Sequence, residues 1–178
     1  MYSDSIDYGP EETITMTPST LAPSTVQALT WRDWALGATT ALTVYSAGVS
    51  WQAQVVSYPL FAQVSAAAFP GYHLAYNAAI PLVVIVPGVL GFLASAVLPW
   101  TRPADVPRRL AVVVSGSGVV ALVATVAWAI PMHARLDAVG QSPEALASLL
   151  QANAVRTAAL TVGAGALLWA LLRRRATS

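Results

Sequence analysis

The chain has two histidines, and each is followed four positions later by a polar partner: His73 by Asn77, and His133 by Asp137. Four-residue spacing places side chains one above the other on a helix face. His133 with Asp137 has the pattern of a carboxylate orienting an imidazole, which fixes the tautomer and raises the basicity of the ring. A histidine held in this way can accept a proton from a substrate. Either histidine taken alone is equally a hydrogen-bonded interfacial group. Arg156 is the third residue of chemical interest, about one turn inside an apolar run. A guanidinium in hydrocarbon costs several kcal/mol unless it pairs or reaches the interface. It is therefore either a structural group bonded to Asn153 and backbone carbonyls, or a cation aimed at a phenolate, enolate or carboxylate. Asn153, Arg156 and Thr157 on one face would offer several donors to an oxyanion.

The candidate catalytic residues are His133, His73, Arg156 and Asp137. The candidate substrate-binding residues are Asn153, Asn77, Tyr76, Gln52 and Thr157. No nucleophile elbow, phosphate-binding glycine loop or paired-acid motif accompanies them. The chain has no cysteine, which removes thiolate nucleophiles, disulfides and thiolate-held metals. A facial triad of the two histidines and Asp137 would draw on two separate runs without a supporting motif, so no metal is expected. A net charge of +1, with no basic patch interleaved with aromatics, points away from nucleic acid.

The elements that must position these residues are apolar. Of the 178 residues, 56% are hydrophobic and 10% charged, against about 25% charged in soluble domains. Four apolar runs cover residues 34–56, 74–98, 110–130 and 154–172. Each is close to the ~20 residues that cross a bilayer as a helix. The expected fold is all-α: a four-helix transmembrane bundle over residues 30–178, preceded by a disordered tail over residues 1–29 that is rich in Ser, Thr, Pro and acids. Trp31, Trp34, Trp100 and Trp169 sit at run ends, where indoles favour the interface. Thr30 with Asp33, and Ser142-Pro143-Glu144, read as helix starts. Residues 57–72 are uncharged and aromatic, suited to an interfacial connection.

Arg32, Arg102, Arg108, Arg109 and Arg173 to Arg175 fall on one side of such a bundle, so both termini are expected in the cytoplasm. The alternation of helices then brings the polar groups together at the opposite end. Gly37, Gly48, Gly88, Gly91, Gly116, Gly118, Gly163 and Gly165 are expected at helix contacts. Pro81 and Pro87 are expected to bend the second helix.

Several stretches resemble the anthrone oxygenase-like family of small four-span membrane proteins. They are Trp51-Gln-Ala-Gln-Val-Val-Ser-Tyr-Pro-Leu-Phe61, Tyr72-His73, Tyr76-Asn77, Ile130-Pro131-Met-His133-Ala-Arg-Leu136 and Asn153-Ala-Val-Arg156-Thr157. The resemblance covers residues 34–172. It departs from the family pattern at His133, where Asn is common, and at Ala152, where Trp is common. It implies a cofactor-independent oxygenase of natural-product biosynthesis acting on an electron-rich polycyclic phenol. A base, His133 oriented by Asp137 or else His73, would remove a proton beside a carbonyl. The enolate or phenolate, stabilised by Arg156 and Asn153, would meet oxygen directly. The same residues suit a cyclase or isomerase acting on a lipophilic polyketide or terpenoid. A binding or assembly subunit is the non-enzymatic alternative. The expected partners are a hydrophobic small molecule and the lipid bilayer, with a homo-oligomer left open because four short spans enclose little room.

Overall fold

The computed structural model describes residues 28–176, so the expectation of a disordered tail falls, except for residues 28 and 29, outside the described residues. Within them the chain is all-helical. Four long helices follow in order: α1 over residues 31–61, α2 over Phe69–Thr101, α3 over Arg108–Val139 and α4 over Pro143–Ala176. Each helix packs against two neighbours in the cyclic order α1, α2, α3, α4.

Helices α2, α3 and α4 are long and apolar enough to cross a membrane. Helix α1 is not among them, where four such helices were expected. Its apolar run is diluted by Thr39, Thr40, Thr43 and Ser50, all of which are buried. The hydroxyls of Thr39 and Thr40 donate to the carbonyls of Ala35 and Leu36, each at 2.8 Å, so they enter the interior already satisfied. The outer surface is the reverse: Leu82, Leu90, Leu93, Val112, Val119 and Leu172 are exposed. Apolar groups outside and hydroxyls inside is the pattern of a chain solvated by lipid.

The helix ends follow from local chemistry. Thr30 and Asp33 form a reciprocal capping box at the start of α1. Gly140, with φ of 78°, ends α3, a conformation that side chains disfavour. Ser142 caps the start of α4 through the Ala145 amide (3.3 Å), and this helix runs unbroken from Pro143 into the fourth apolar run. Within residues 57–72, α1 continues to Phe61 and α2 begins at Phe69. Gln141 holds the turn between them by donating to the carbonyls of Phe61 and Val64, both at 2.9 Å.

Proline removes the amide that would bond the carbonyl four residues earlier. In α2 two of these freed carbonyls are taken by hydroxyls from neighbouring helices. Tyr45 of α1 donates to Val83 (3.1 Å), opposite Pro87, and Ser115 of α3 donates to Ser95 (2.6 Å), opposite Pro99. Ser115→Ala should therefore lower stability by about 1–3 kcal/mol, the cost of a buried unpaired polar group. Ser115→Thr should retain most of that stability. Thermal unfolding of the three proteins in one detergent checks this; equal melting temperatures would remove the role.

Fewer glycines lie at contacts than expected. An added Cβ would collide with Ser95 at Gly118 and with Ser117 at Gly163, and would touch Leu42 at Gly91. Gly37, Gly48, Gly88, Gly116 and Gly165 face open space instead.

Two apolar clusters close the ends of the bundle. Leu36, Leu98, Val114 and Leu167 belong to the one near the Arg-rich end. Tyr58, Phe61, Phe69, Leu136 and Leu149 belong to the other. Arg174 clamps the first end, donating to Asp33 and to Asp105 at 2.6 Å each. Asp33 lies ahead of the apolar run. Its hydrogen bonds with Thr30 and then with Arg174 hold its carboxyl down at about 2, from an ordinary 3.8. A carboxyl depressed by folding stabilises above its unfolded value and loses that contribution as pH falls through the folded one. The stability gap between wild type and Asp33→Asn should thus be complete at pH 5 and shrink as pH falls from about 4 toward 2. Unfolding temperatures across that range check it.

Candidate functional site

The site lies between the two apolar clusters, toward the end remote from the Arg-rich one. His73 comes from α2, His133 and Asp137 from α3, Tyr58 from the last turn of α1, and Arg156 from α4. His73 is fully buried, stacked on Phe69 with ring centroids 5.3 Å apart.

Asp137 bonds His73 rather than His133. Its Oδ1 is 2.6 Å from His73 Nδ1, and His73 Nε2 is 3.0 Å from His133 Nδ1. His133 Nε2 is in turn 3.3 Å from the Tyr58 hydroxyl. The i, i+4 pair on α3 does share a face, but the ring of His73 enters from α2 and takes both contacts. Asn77 does lie beside His73, with its Nδ2 3.4 Å from His73 Nδ1. Asn77 Nδ2 donates to both Asp137 oxygens, at 3.2 and 3.0 Å, and so completes the carboxylate's shell.

With His73 neutral and Asp137 ionised, one set of proton positions satisfies the row. An ionised Asp137 only accepts, so His73 carries hydrogen on Nδ1 and, when neutral, accepts at Nε2. His133 must then carry hydrogen on Nδ1 and accept from Tyr58 at Nε2. Tyr58, His133, His73 and Asp137 thus form a directed chain of donors. A proton arriving at His133 Nε2 releases one to His73, which releases one to Asp137. The Asp137 side chain is 47% exposed, so the far end of the chain meets solvent.

Arg156 forms the second half of the site. It is buried, with Nε donating to Ser50 Oγ (3.1 Å) and Nη2 to Asn153 Oδ1 (2.5 Å). Asn153 is itself fixed by donating to the Ser50 carbonyl (3.1 Å) and to Gln54 (2.7 Å). Thr157 lies 2.9 Å from Ser50 Oγ. The ion pairs among the described residues are His73–Asp137, Arg174–Asp33 and Arg174–Asp105. The guanidinium is therefore held by neutral acceptors, with no carboxylate to cancel its charge. It also interacts with the Tyr58 hydroxyl.

Both halves face a cavity of about 470 Å³ whose polar wall is Gln52, Ser57, Tyr58, Tyr76, Asn77, Thr125, His133 and Arg156. Its shape comes from three π-helical segments, Ala53–Ser57, Pro81–Ile85 and Ala124–Ala129, each of which contributes to the wall. One extra residue per turn interrupts ridge-into-groove packing, and such segments gather at functional sites. Not one residue of Pro81–Ile85 is buried, so α2 stands off its neighbours where Pro81 and Pro87 break its ladder. No protein-family model, curated protein or solved structure matches this chain.

Of the residues expected to bind substrate, Gln52, Tyr76 and Asn77 reach the wall. Asn153 and Thr157 do not. They lie behind Arg156 and aim it, because Asn153 spends its amide oxygen on the guanidinium. His73 and Asp137 likewise lie behind His133. Tyr58 and Ser50 have functional positions that spacing did not single out. Tyr58 was visible only as one aromatic among several in residues 57–72, and Ser50 had no signal beyond its polarity. Both ring nitrogens of His73 are engaged by protein partners, and among the described residues no trio of His, Asp and Glu is arranged to hold a metal ion.

Proposed function

We propose that this chain is a membrane-embedded enzyme that removes a proton beside a carbonyl in a hydrophobic polycyclic or polyketide-like molecule. In this proposal the carbanion passes to dioxygen, as in the anthrone oxygenase-like proteins that its motifs resemble. The observation that carries it is the meeting, in one cavity, of a directed proton chain and a guanidinium without a carboxylate partner among the described residues. The chain from Tyr58 through His133 and His73 to Asp137 takes the proton. Arg156, with the Tyr76 hydroxyl beside it on the wall, stabilises the enolate or phenolate oxygen.

The remaining chemistry balances without a cofactor. The carbanion carbon bonds to dioxygen, and a returning proton gives a hydroperoxide. Loss of water then turns that carbon into a carbonyl. The substrate gains one oxygen and loses two hydrogens, and dioxygen ends as the new carbonyl oxygen and water.

In this proposal all four helices cross the bilayer as a transmembrane bundle. Helix α1 is carried by its neighbours because its hydroxyls point inward. The Arg-rich end and both termini are cytoplasmic, in keeping with the positive-inside rule. The cavity walls come from one chain, so a homo-oligomer is not needed to complete the site.

A cyclase or isomerase is the second reading. It is favoured by the reversibility of the proton chain, which can return a proton from Tyr58 to a different carbon. Metabolite profiling of the source organism with and without the gene, complemented by wild type or Arg156→Ala, tests both. An accumulating intermediate cleared only by wild type supports an enzyme. A product heavier by one oxygen and lighter by two hydrogens supports the oxygenase, and an unchanged mass supports the isomerase. No metabolite change would overturn both in favour of a binding or assembly subunit.

A further inference from the structure

A second cavity, of about 140 Å³, adjoins the first and shares with it Val49, Val83, Ile85, Thr125, Ile130 and Arg156. It runs away from the polar end. Its wall on α2 extends from Val83 to Ser95, about 18 Å of helix. A small volume spread over that length is a slot, a shape suited to a chain. Its wall is apolar in effect. Phe92, Val114, Ala121, Leu122 and Leu160 supply carbon, and Arg156 is the charged group, placed where the two cavities meet.

The hydroxyls along the slot are mostly spent. Ser95, Ser117 and Thr125 donate to carbonyls of their own helices, each at 2.8 Å, and Tyr45 donates to Val83. Ser46 Oγ is buried without a partner among the described residues. Walls of this kind accept apolar groups, and the exposed Val89 and Val126 leave the slot open toward the outer surface. The slot owes its width partly to Gly88, where an added Cβ would meet nothing within 4 Å.

We propose that the ligand is an amphiphile. Its oxygen-bearing head lies in the larger cavity at Arg156, and an unbranched aliphatic chain extends along the slot between α1, α2 and α3. This deepens the proposed function by naming a substrate class, and it rests on that function for the head alone. The chain gains little by leaving lipid for an apolar slot, so the slot acts through shape: it admits a tailed head and sets its direction.

The test uses the full chain in lipid nanodiscs and two photoreactive phenols. One is 4-octylphenol with a diazirine at the chain end, and the other is 4-methylphenol with the diazirine on the ring. Labelled residues are mapped by mass spectrometry in wild type, Gly88→Leu, Leu122→Trp and Arg156→Gln. The octyl probe should label Phe92, Ser95 or Leu122 in wild type. Gly88→Leu and Leu122→Trp fill the slot from opposite walls, and each should cut slot labelling tenfold or more. The label should then move to the lipid-facing Leu90 and Leu93. Retained ring-probe labelling near Tyr76 shows that both variants are folded.

Octyl labelling confined to Leu90 and Leu93 in wild type overturns the proposal, as does slot labelling unchanged by both filling variants. The head assignment fails separately. Ring-probe labelling near Tyr76 that survives Arg156→Gln at full strength would sink the anion site while leaving the slot result standing.

Discussion

His133→Gln should lower turnover by about 10²–10⁴-fold, the range contributed by a positioned acid–base group. Glutamine can fill the space between Tyr58 and His73 and can hydrogen-bond to each. It cannot accept a proton on one side while releasing one on the other. The chain from Tyr58 to Asp137 would then be broken at the member that joins cavity to interior. The comparison that gives the result meaning is Asp137→Asn. It removes the charge that fixes the His73 tautomer but leaves both rings in place, so it should cost less than His133→Gln. Turnover of the substrate found by profiling, measured with purified protein in nanodiscs beside thermal unfolding, separates chemistry from folding. Wild-type turnover in His133→Gln would end the case for the proton chain. A loss of activity that merely tracked a loss of stability would reassign the histidines to structure.

The second large effect is expected at Arg156. Arg156→Leu should reduce turnover by about 10²–10³-fold, the usual effect of deleting one oxyanion donor. Arg156→Lys should recover only part of this. An ammonium is a compact point charge without the planar fork that here reaches Ser50 by Nε and Asn153 by Nη2. Stability should respond differently. Leucine takes one donor from the Asn153 oxygen, which keeps the Ser50 hydroxyl at 3.3 Å, and it also removes a buried charge without a carboxylate partner among the described residues. The net change in unfolding temperature should be small beside the change in rate. A structural arginine would show the reverse, with a large drop in stability and activity per folded molecule unchanged. Activity normalised to folded protein across wild type, lysine and leucine decides between them.

The sequence by itself determined the helical class and the apolar runs, three of which fall on helices long and apolar enough to cross a membrane. Long apolar runs with few charges can form little but helices in lipid, since every backbone group must be satisfied internally. The starts at Thr30 and Ser142 were legible because capping is local chemistry. The residue types of the site were legible too. His73, His133, Arg156 and the amides stand out where ionisable groups are costly.

Tertiary structure decided what each of them touches. Spacing along α3 paired Asp137 with His133, but a ring arriving from α2 outcompetes a neighbour on the same helix, and no one-dimensional pattern registers that. Spacing also could not show that Asn153 and Thr157 stand behind Arg156, or that Tyr58 closes the proton chain. The cavities depend on three π-helical segments at one depth. Each segment ends two residues before a proline, Pro59, Pro87 and Pro131, so the widened turns have a local origin, although only Pro81 and Pro87 were read as bending a helix. Hydropathy and capping act over a few residues and survive in the sequence. The partner of a buried side chain is set by helix rotation and crossing, which depend on all four helices at once.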